Sequence, residues 1–320
     1  MPMHAALITE FGRPPQYAEA PPPPVSDGDL LVAVDAAALH PRVRSGAAGT
    51  HYASATELPL IPGIDGVGRT ADGQRGYFLA LDSAHGSMAE QAVARPDLWF
   101  PLPAGADADA VAAGVNPAMS AWVPLRRRVP LQPGQRVLVL GATGAAGQAA
   151  VQIARLLGAG WVAGAGRDPQ RLAGLTALGA DATISLTGSD QEIAAAITAA
   201  AAETDIVIDY LWGRPAEIVL PAVLLARKDE GKPITWLHIG AVSGVTTSLL
   251  SAALRAHNLT IVGSGQGSLS RADFAAELPA LISELAAGRI STDARPVALS
   301  EVETTWDAPI GYEHRVVFRP

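Results

Sequence analysis

The stretch Arg136-Val137-Leu138-Val139-Leu140-Gly141-Ala142-Thr143-Gly144-Ala145-Ala146-Gly147-Gln148 constrains this chain more than any other. An unbroken Val/Leu run is what a strand buried on both faces of a parallel sheet requires. The glycines that follow let the backbone turn sharply into a helix, whose first N–H groups can receive a pyrophosphate. The spacing is G-x-x-G-x-x-G, with Ala142 where the G-x-G-x-x-G fingerprint has its first glycine, so the pattern alone leaves open a tight turn that binds nothing. The surroundings favour a dinucleotide site. A strand precedes the glycines, a helix with apolar Val151, Ile153, Leu156 and Leu157 follows, and a second strand-like run spans Trp161 to Ala165. Thr143, Gly144, Ala145 and Ala146 are then the residues expected to face phosphate.

The rest of the chain fits around that unit. Strands are predicted at 137–140, 161–165, 182–186, 205–210, 234–239 and 259–263, alternating with helices at 147–157, 169–178, 190–201, 215–226, 248–256 and 271–286. This alternation predicts an α/β fold, a doubly wound six-stranded parallel sheet. Upstream, short strands such as His4 to Thr9 and Leu30 to Ala38 are separated by Pro21-Pro22-Pro23-Pro24 and Ser26-Asp27-Gly28-Asp29, which marks a β-rich domain. Ala108, Val111, Ala112 and Val115 sit at helical spacing. After Asn116-Pro117 a second helical piece runs from Met119 to about Arg127, and this is the expected hinge. The tail carries strand runs at Pro296 to Leu299 and Arg315 to Phe318 without a further helix, so it is expected to return to the first domain. The expected division is 1–118 with 290–320, and 119–289.

With 320 residues, 49% hydrophobic and 17% charged, the chain can bury cores for two domains. A net charge of -8 argues against nucleic acid or an anionic membrane as the main partner. There is no cysteine, which removes disulfides, thiolate nucleophiles and Cys-ligated zinc together. Met1 to Leu7 lacks the basic-then-apolar order of a signal peptide and no apolar run reaches about 18 residues, so a cytoplasmic location is expected.

Several weak motifs occur in one fixed order: Pro62-Gly63-x-Asp65-Gly66-x-Gly68, Gly86-Ser87-Met88-Ala89-Glu90, Met119-Ser120-Ala121-Trp122, the Gly141 to Gly147 loop and Leu178-Gly179-Ala180-Asp181. In these the chain resembles the medium-chain dehydrogenase/reductase superfamily, and within it the zinc-independent quinone oxidoreductase branch, over essentially its whole length. The resemblance implies a GroES-like β-rich domain plus a Rossmann domain inserted before the C-terminal strands, with an active cleft between them. Zinc-dependent members carry a histidine in a Gly-His-Glu turn, and this chain has Gly63-Ile64-Asp65. Where they have a first cysteine it has His40, and the stretch that would supply another ligand reads Val115-Asn116-Pro117-Ala118. A catalytic zinc needs about three protein ligands. One candidate remains, and no metal is expected.

The end of the second strand chooses between nicotinamide cofactors, because NAD sites place Asp or Glu there and NADP sites place Arg. The chain reads Gly164-Ala165-Gly166-Arg167-Asp168-Pro169-Gln170-Arg171, with Gly166 at the acid position and Arg167 and Arg171 able to donate to a 2′-phosphate. NADPH is therefore the expected cofactor. The alternative is that both arginines are solvated at a helix start and that Asp168 turns toward a ribose. Later strand ends should complete the site: Tyr210 and Leu211, Gly240, Ala241 and Val242 for the nicotinamide amide through backbone groups, and Gly265, with Ser120 on the helix before the glycine loop. For Tyr210 and Trp212, packing at a domain interface remains an equal alternative.

Hydride transfer is mostly the cofactor's chemistry, so the protein mainly positions and excludes water. Without zinc, a quinone or an α,β-unsaturated carbonyl is the expected substrate, since a simple ketone needs stronger polarisation. Tyr52, Asn116 and His40 are the candidate catalytic residues. Tyr52 matches a pocket tyrosine of the quinone oxidoreductase branch, and Asn116-Pro117 is similar to a stretch of the related enoyl reductases. The resemblance also implies a homodimer joined along Leu259 to Gly263. Two other readings stay open. One is an enoyl-thioester reductase using the basic Arg126-Arg127-Arg128. The other is a crystallin-like or sensor protein that binds NADPH without turnover.

Overall fold

A computed structural model describes residues 2–50, 57–80, 84–265, 267–307 and 314–320. The chain divides into two compact units, Met1–Asn116 with Leu278–Pro320, and Pro117–Glu277. In the first unit β1 (Met3–Leu7) and β2 (Gln16–Ala20) form an antiparallel pair. After the proline run come β3 (Leu30–Ala38), the short helix α1 (Pro41–Ala47), β4 (Asp65–Arg69), β5 (Arg75–Leu79), β6 (Gln91–Ala94) and β7 (Trp99–Pro101).

Helix α2 (Ala108–Arg127) differs from the two pieces expected on either side of Asn116-Pro117: it is continuous, with Pro117 and Pro124 inside it. Each interior proline costs about 3 kcal/mol. Val111, Val115, Trp122, Val123 and Leu125 are all buried, at roughly 1.5–3 kcal/mol per large side chain, and their packing outweighs the prolines. Pro117 also helps to occupy a neighbour, since its carbonyl accepts the Ser120 hydroxyl at 2.6 Å.

The second unit is built on β8 (Arg136–Leu140), α3 (Ala145–Leu156), β9 (Trp161–Gly166), α4 (Pro169–Gly174), β10 (Ala182–Ser185) and α5 (Asp190–Ala201). It continues through β11 (Ile206–Asp209), α6 (Gly213–Leu225), β12 (Ile234–His238), α7 (Ser251–Ala256) and β13 (Leu259–Gly263). All six strands are parallel in the order β10-β9-β8-β11-β12-β13, the doubly wound order with its switch point between β8 and β11. Val137 to Leu140 and Ile206 to Ile208 are enclosed on both faces, as their unbroken apolar runs require.

Two helices are shorter than their apolar spacing predicts. Helix α4 ends at Gly174 and gives way to turns up to Gly179, whose φ of 103° no helix accepts. Helix α7 begins at Ser251 rather than 248, because the Ser248 N–H is taken by the Glu217 carboxylate at 2.9 Å and Leu250 stays extended as the N-cap. The chain then passes through α8 (Arg271–Ala286), β14 (Ala294–Ala298), α9 (Val302–Trp306) and β15 (Arg315–Arg319). The tail joins the sheet of the first unit: β15 pairs antiparallel with β3, giving the order β14-β15-β3-β4-β5-β7 with β6 also on β3.

Candidate active site

The glycine loop has a distinct task at each glycine. Gly141 takes φ 83°, so it supplies the left-handed residue at the end of β8, and a side chain there would press on Leu211 and Tyr210. Gly147 brings α3 against the turn so closely that a Cβ would lie 2.2 Å from the Gly141 carbonyl oxygen. Gly144 is different. It is the N-cap of α3, open space surrounds its missing side chain apart from one atom at 3.6 Å, and no side chain caps the helix. The N–H groups of the first turn, at Ala145 and Ala146, thus keep the donors that an anion takes at a helix start. Neighbouring helices are closed instead, α4 by the Asp168 side chain and α5 by a capping box of Ser189 and Glu192.

The end of β9 excludes an acidic side chain. A Cβ on Gly166 would stand 2.5 Å from Thr143 Cγ2 and 2.8 Å from its hydroxyl. The two arginines that follow have separate fates. Arg167 is exposed and makes no hydrogen bond or ion pair among the described residues. Arg171 is nearly enclosed, its Nη1 donating to the Thr143 carbonyl at 2.9 Å and its Nε lying 3.7 Å from the Asp168 carboxylate. Asp168 accepts the Arg171 backbone N–H at 3.1 Å, so its carboxylate is committed to the cap.

At the ends of β11 and β12 a buried carboxylate organises the loops. Asp209 accepts from the backbone N–H groups of Leu211 at 2.8 Å and Trp212 at 3.0 Å, and from the Trp236 indole at 3.0 Å. Burial nevertheless pushes its carboxyl group up from the usual range. These bonds hold Trp212 at φ 55°, unique to it among the described non-glycine residues, with its indole 4.3 Å from the His238 ring. Gly240 packs where a Cβ would meet the Tyr210 carbonyl oxygen at 2.8 Å, and the N–H groups of Val242 and Ser243 donate to Tyr210 and Leu211. The Tyr210 hydroxyl lies 2.9 Å from Ser120 Oγ. The structure thus gathers Ser120, Gly141, Tyr210, Leu211, Gly240, Ala241 and Val242 around the switch point, and Thr143, Gly166 and Arg171 around the end of β9. Gly265 makes a local turn, its N–H donating to Ser268 Oγ at 2.9 Å. Asp209, Trp236 and His238 have no role in the sequence reading.

The first unit holds its own polar cluster. His40, the N-cap of α1, is fully enclosed and its Nε2 is 3.3 Å from Asp65 Oδ1. Tyr77 donates its hydroxyl to Asp65 Oδ2 at 2.8 Å, and the Ser87 hydroxyl donates to the Asp65 carbonyl. Burial lowers His40 below its ordinary value although Asp65 pulls the other way, and it pushes Arg315 down to about 10 against the same carboxylate. Asn116 sits half-buried in α2 without a side-chain hydrogen bond among the described residues. Tyr52 lies outside the described residues. Among those described, no group of three or more His, Cys, Asp or Glu is placed to hold a metal ion.

A β-rich unit completed by C-terminal strands, with a six-stranded doubly wound unit inserted, defines the medium-chain dehydrogenase/reductase architecture. The solved quinone oxidoreductase of Thermus thermophilus, whose structures include an NADPH complex, superposes with a TM-score of 0.82 at 26% identity over 99% of this chain and 100% of that one. A protein of Emericella nidulans named probable NADPH-dependent quinone reductase tdiC is 32% identical, covering 99% of this chain and 100% of its own. Human quinone oxidoreductase is 32% identical over about half of each chain, 49% and 50%. No protein-family profile matches the sequence. The chain belongs to the quinone oxidoreductase-like branch of the medium-chain dehydrogenase/reductase superfamily.

Proposed function

We propose that this oxidoreductase is NADPH-dependent and zinc-independent, and that it reduces quinones or α,β-unsaturated carbonyls. The observation that carries the cofactor choice is the end of β9: Gly166 has no room for the acid that would read a ribose 2′-hydroxyl, and beside it Arg167 is exposed and unpaired among the described residues. The uncapped start of α3 at Gly144, Ala145 and Ala146, with Thr143, suits the pyrophosphate. Arg167 meets the 2′-phosphate, with Arg171 bracing the loop through Thr143. Ser120, Tyr210, Leu211 and Gly240 to Val242 line the nicotinamide end, and Gly265 lies on the last strand end.

When bound, NADPH supplies the hydride, and the protein holds the two partners together and keeps water out. Asn116 and Tyr52 bind the acceptor in this reading. His40 is assigned proton supply in its protonated form alone, a form that burial disfavours, because the neutral ring spends its Nε2 hydrogen on Asp65. Zinc independence is supported by the donor set: Ile64 cannot ligate, and the His40 imidazole is already engaged by Asp65.

The thioester reading draws no support from Arg126-Arg127-Arg128. Arg126 and Arg127 pair with Glu277, and Arg128 donates to the carbonyls of Gly263 and Ser268. The proposal includes a cytoplasmic location and a homodimer. For the latter, β13 pairs with β12 alone among the described residues, leaving a sheet edge, and Val242, Val245 and Leu250 of the same unit are exposed.

The test is a binding titration. Arg167→Ala weakens NADPH binding by about 10- to 100-fold, the worth of a charge-assisted contact, and leaves NADH binding unchanged. Loss of both equally overturns the assignment. Oxidation of NADPH across a panel of quinones and enones tests the substrate class, and tight binding with no turnover by any acceptor selects a non-catalytic role. Size-exclusion chromatography with light scattering reads the dimer.

A further inference from the structure

The hydroxyl pair Ser120–Tyr210 hangs from the end of β11 at the switch point, where the Tyr210 Cβ abuts Gly141 of the glycine loop, and its protons can be counted. Ser120 has one hydroxyl hydrogen, and the Pro117 carbonyl takes it at 2.6 Å. At 2.9 Å from Tyr210 Oη, Ser120 Oγ must therefore accept, and the Tyr210 hydroxyl donates. Both oxygens have spent their hydrogens. What each has left is a lone pair, so the pair presents acceptors and no donor. Pro124 adds to this polarity, because it lacks the N–H that the Ser120 carbonyl would meet in a regular helix.

Burial raises the Tyr210 phenol, so it stays protonated across the working pH range and is no proton donor to a substrate. A quinone or enone carbonyl, itself only an acceptor, is repelled by such a pair. A carboxamide NH2 is what it fits.

Resting on the NADPH reading, we infer that Tyr210 is a positioning residue: by donating to Ser120 it fixes an acceptor pair that takes the carboxamide NH2 of the reduced nicotinamide and so sets the ring's rotation at the switch point. The backbone beside it is already held, since Val242 N–H donates to the Tyr210 carbonyl and the side of Tyr210 abuts Gly141. Rotation of the side chain is what the hydroxyl contact adds.

The experiment compares two cofactors on the intact protein. One is NADPH and the other is its reduced 3-acetylpyridine analogue, in which a methyl group replaces the amide NH2. Tyr210→Phe and Ser120→Ala each lower kcat/KM with NADPH by about five- to tenfold, the worth of one neutral hydrogen bond, and the double variant is no worse than the singles. With the analogue all three variants stay within about twofold of the unsubstituted protein, because the donor they serve is missing. Ser120→Thr, which keeps the hydroxyl, restores NADPH activity. The pH profile of Tyr210→Phe keeps its shape. Equal losses with both cofactors mean a purely structural role and overturn the inference, as does Tyr210→Phe with unchanged NADPH kinetics; the cofactor reading then stands untouched. An unsubstituted protein that does not bind NADPH overturns the cofactor reading and this inference with it. Thermal melts of each variant separate loss of fold from loss of alignment.

Discussion

Each unit of the chain buries one aspartate, and the two are stabilised by opposite means. Asp65 in the first unit is surrounded by titratable side chains: the imidazole of His40, the phenol of Tyr77 and the guanidinium of Arg315. Asp209 in the second unit is held by two backbone N–H groups and an indole, none of which titrates. A buried carboxylate held by charge couples the stability of its surroundings to a partner's charge and to pH. One held by fixed dipoles shapes a loop instead, and here that loop carries Trp212 at positive φ and the neighbouring Tyr210.

The largest effect that separates the two is loss of the charge itself. Asp65→Asn removes the carboxylate that His40 and Tyr77 bond and that offsets the Arg315 charge at longer range, and it is expected to cost about 2–3 kcal/mol in chemical denaturation, from buried polar groups left without their acceptor. Asp209→Asn keeps an oxygen for the Leu211 and Trp212 N–H groups and sheds a charge that burial already disfavours. It should cost about 1–2 kcal/mol, mostly from an amide facing the Trp236 N–H. Equal costs would erase the distinction.

A smaller effect, of opposite sign in the two units, follows from pH. His40 is held below its unfolded value of 6.5 with Asp65, Arg42 and Arg315 around it, so the unfolded chain binds the proton more readily. The contribution of neutral His40 is present above about pH 6.5 and is lost as pH falls through that value. Asp209 is raised from 3.8, so its contribution runs the other way: folding takes up a proton and stability falls as pH rises from 3.8 through the folded value. Denaturation midpoints at pH 7.5 and 5.5 should therefore show an acid loss that His40→Gln removes and Asp209→Asn does not. An acid loss that survives His40→Gln would place the sensitivity elsewhere.

The difference also marks what a sequence can disclose. The six-stranded parallel sheet was legible, because enclosed parallel strands must be apolar runs such as Val137 to Leu140, and the glycines at 141, 144 and 147 punctuate the first turn. The carboxylate clusters were not, since His40, Asp65, Tyr77 and Arg315 lie far apart along the chain and meet only through strand pairing. Asp209 looked like one more residue at a strand end, and its three donors come from the turn it creates and from a tryptophan on the next strand. The break expected at Asn116-Pro117 failed for a related reason: proline's local cost was visible, and the packing that outweighs it was not.

The contact between Gly166 and Thr143 has a bearing on ancestry. A descendant that came to need the other nicotinamide cofactor would have to gain an acid at position 166, yet with Thr143 in place that change collides at 2.5 Å. The Thr143 side chain must therefore turn or shrink for the acid to fit. An exchange of cofactor at this position is thus a change of two residues rather than one.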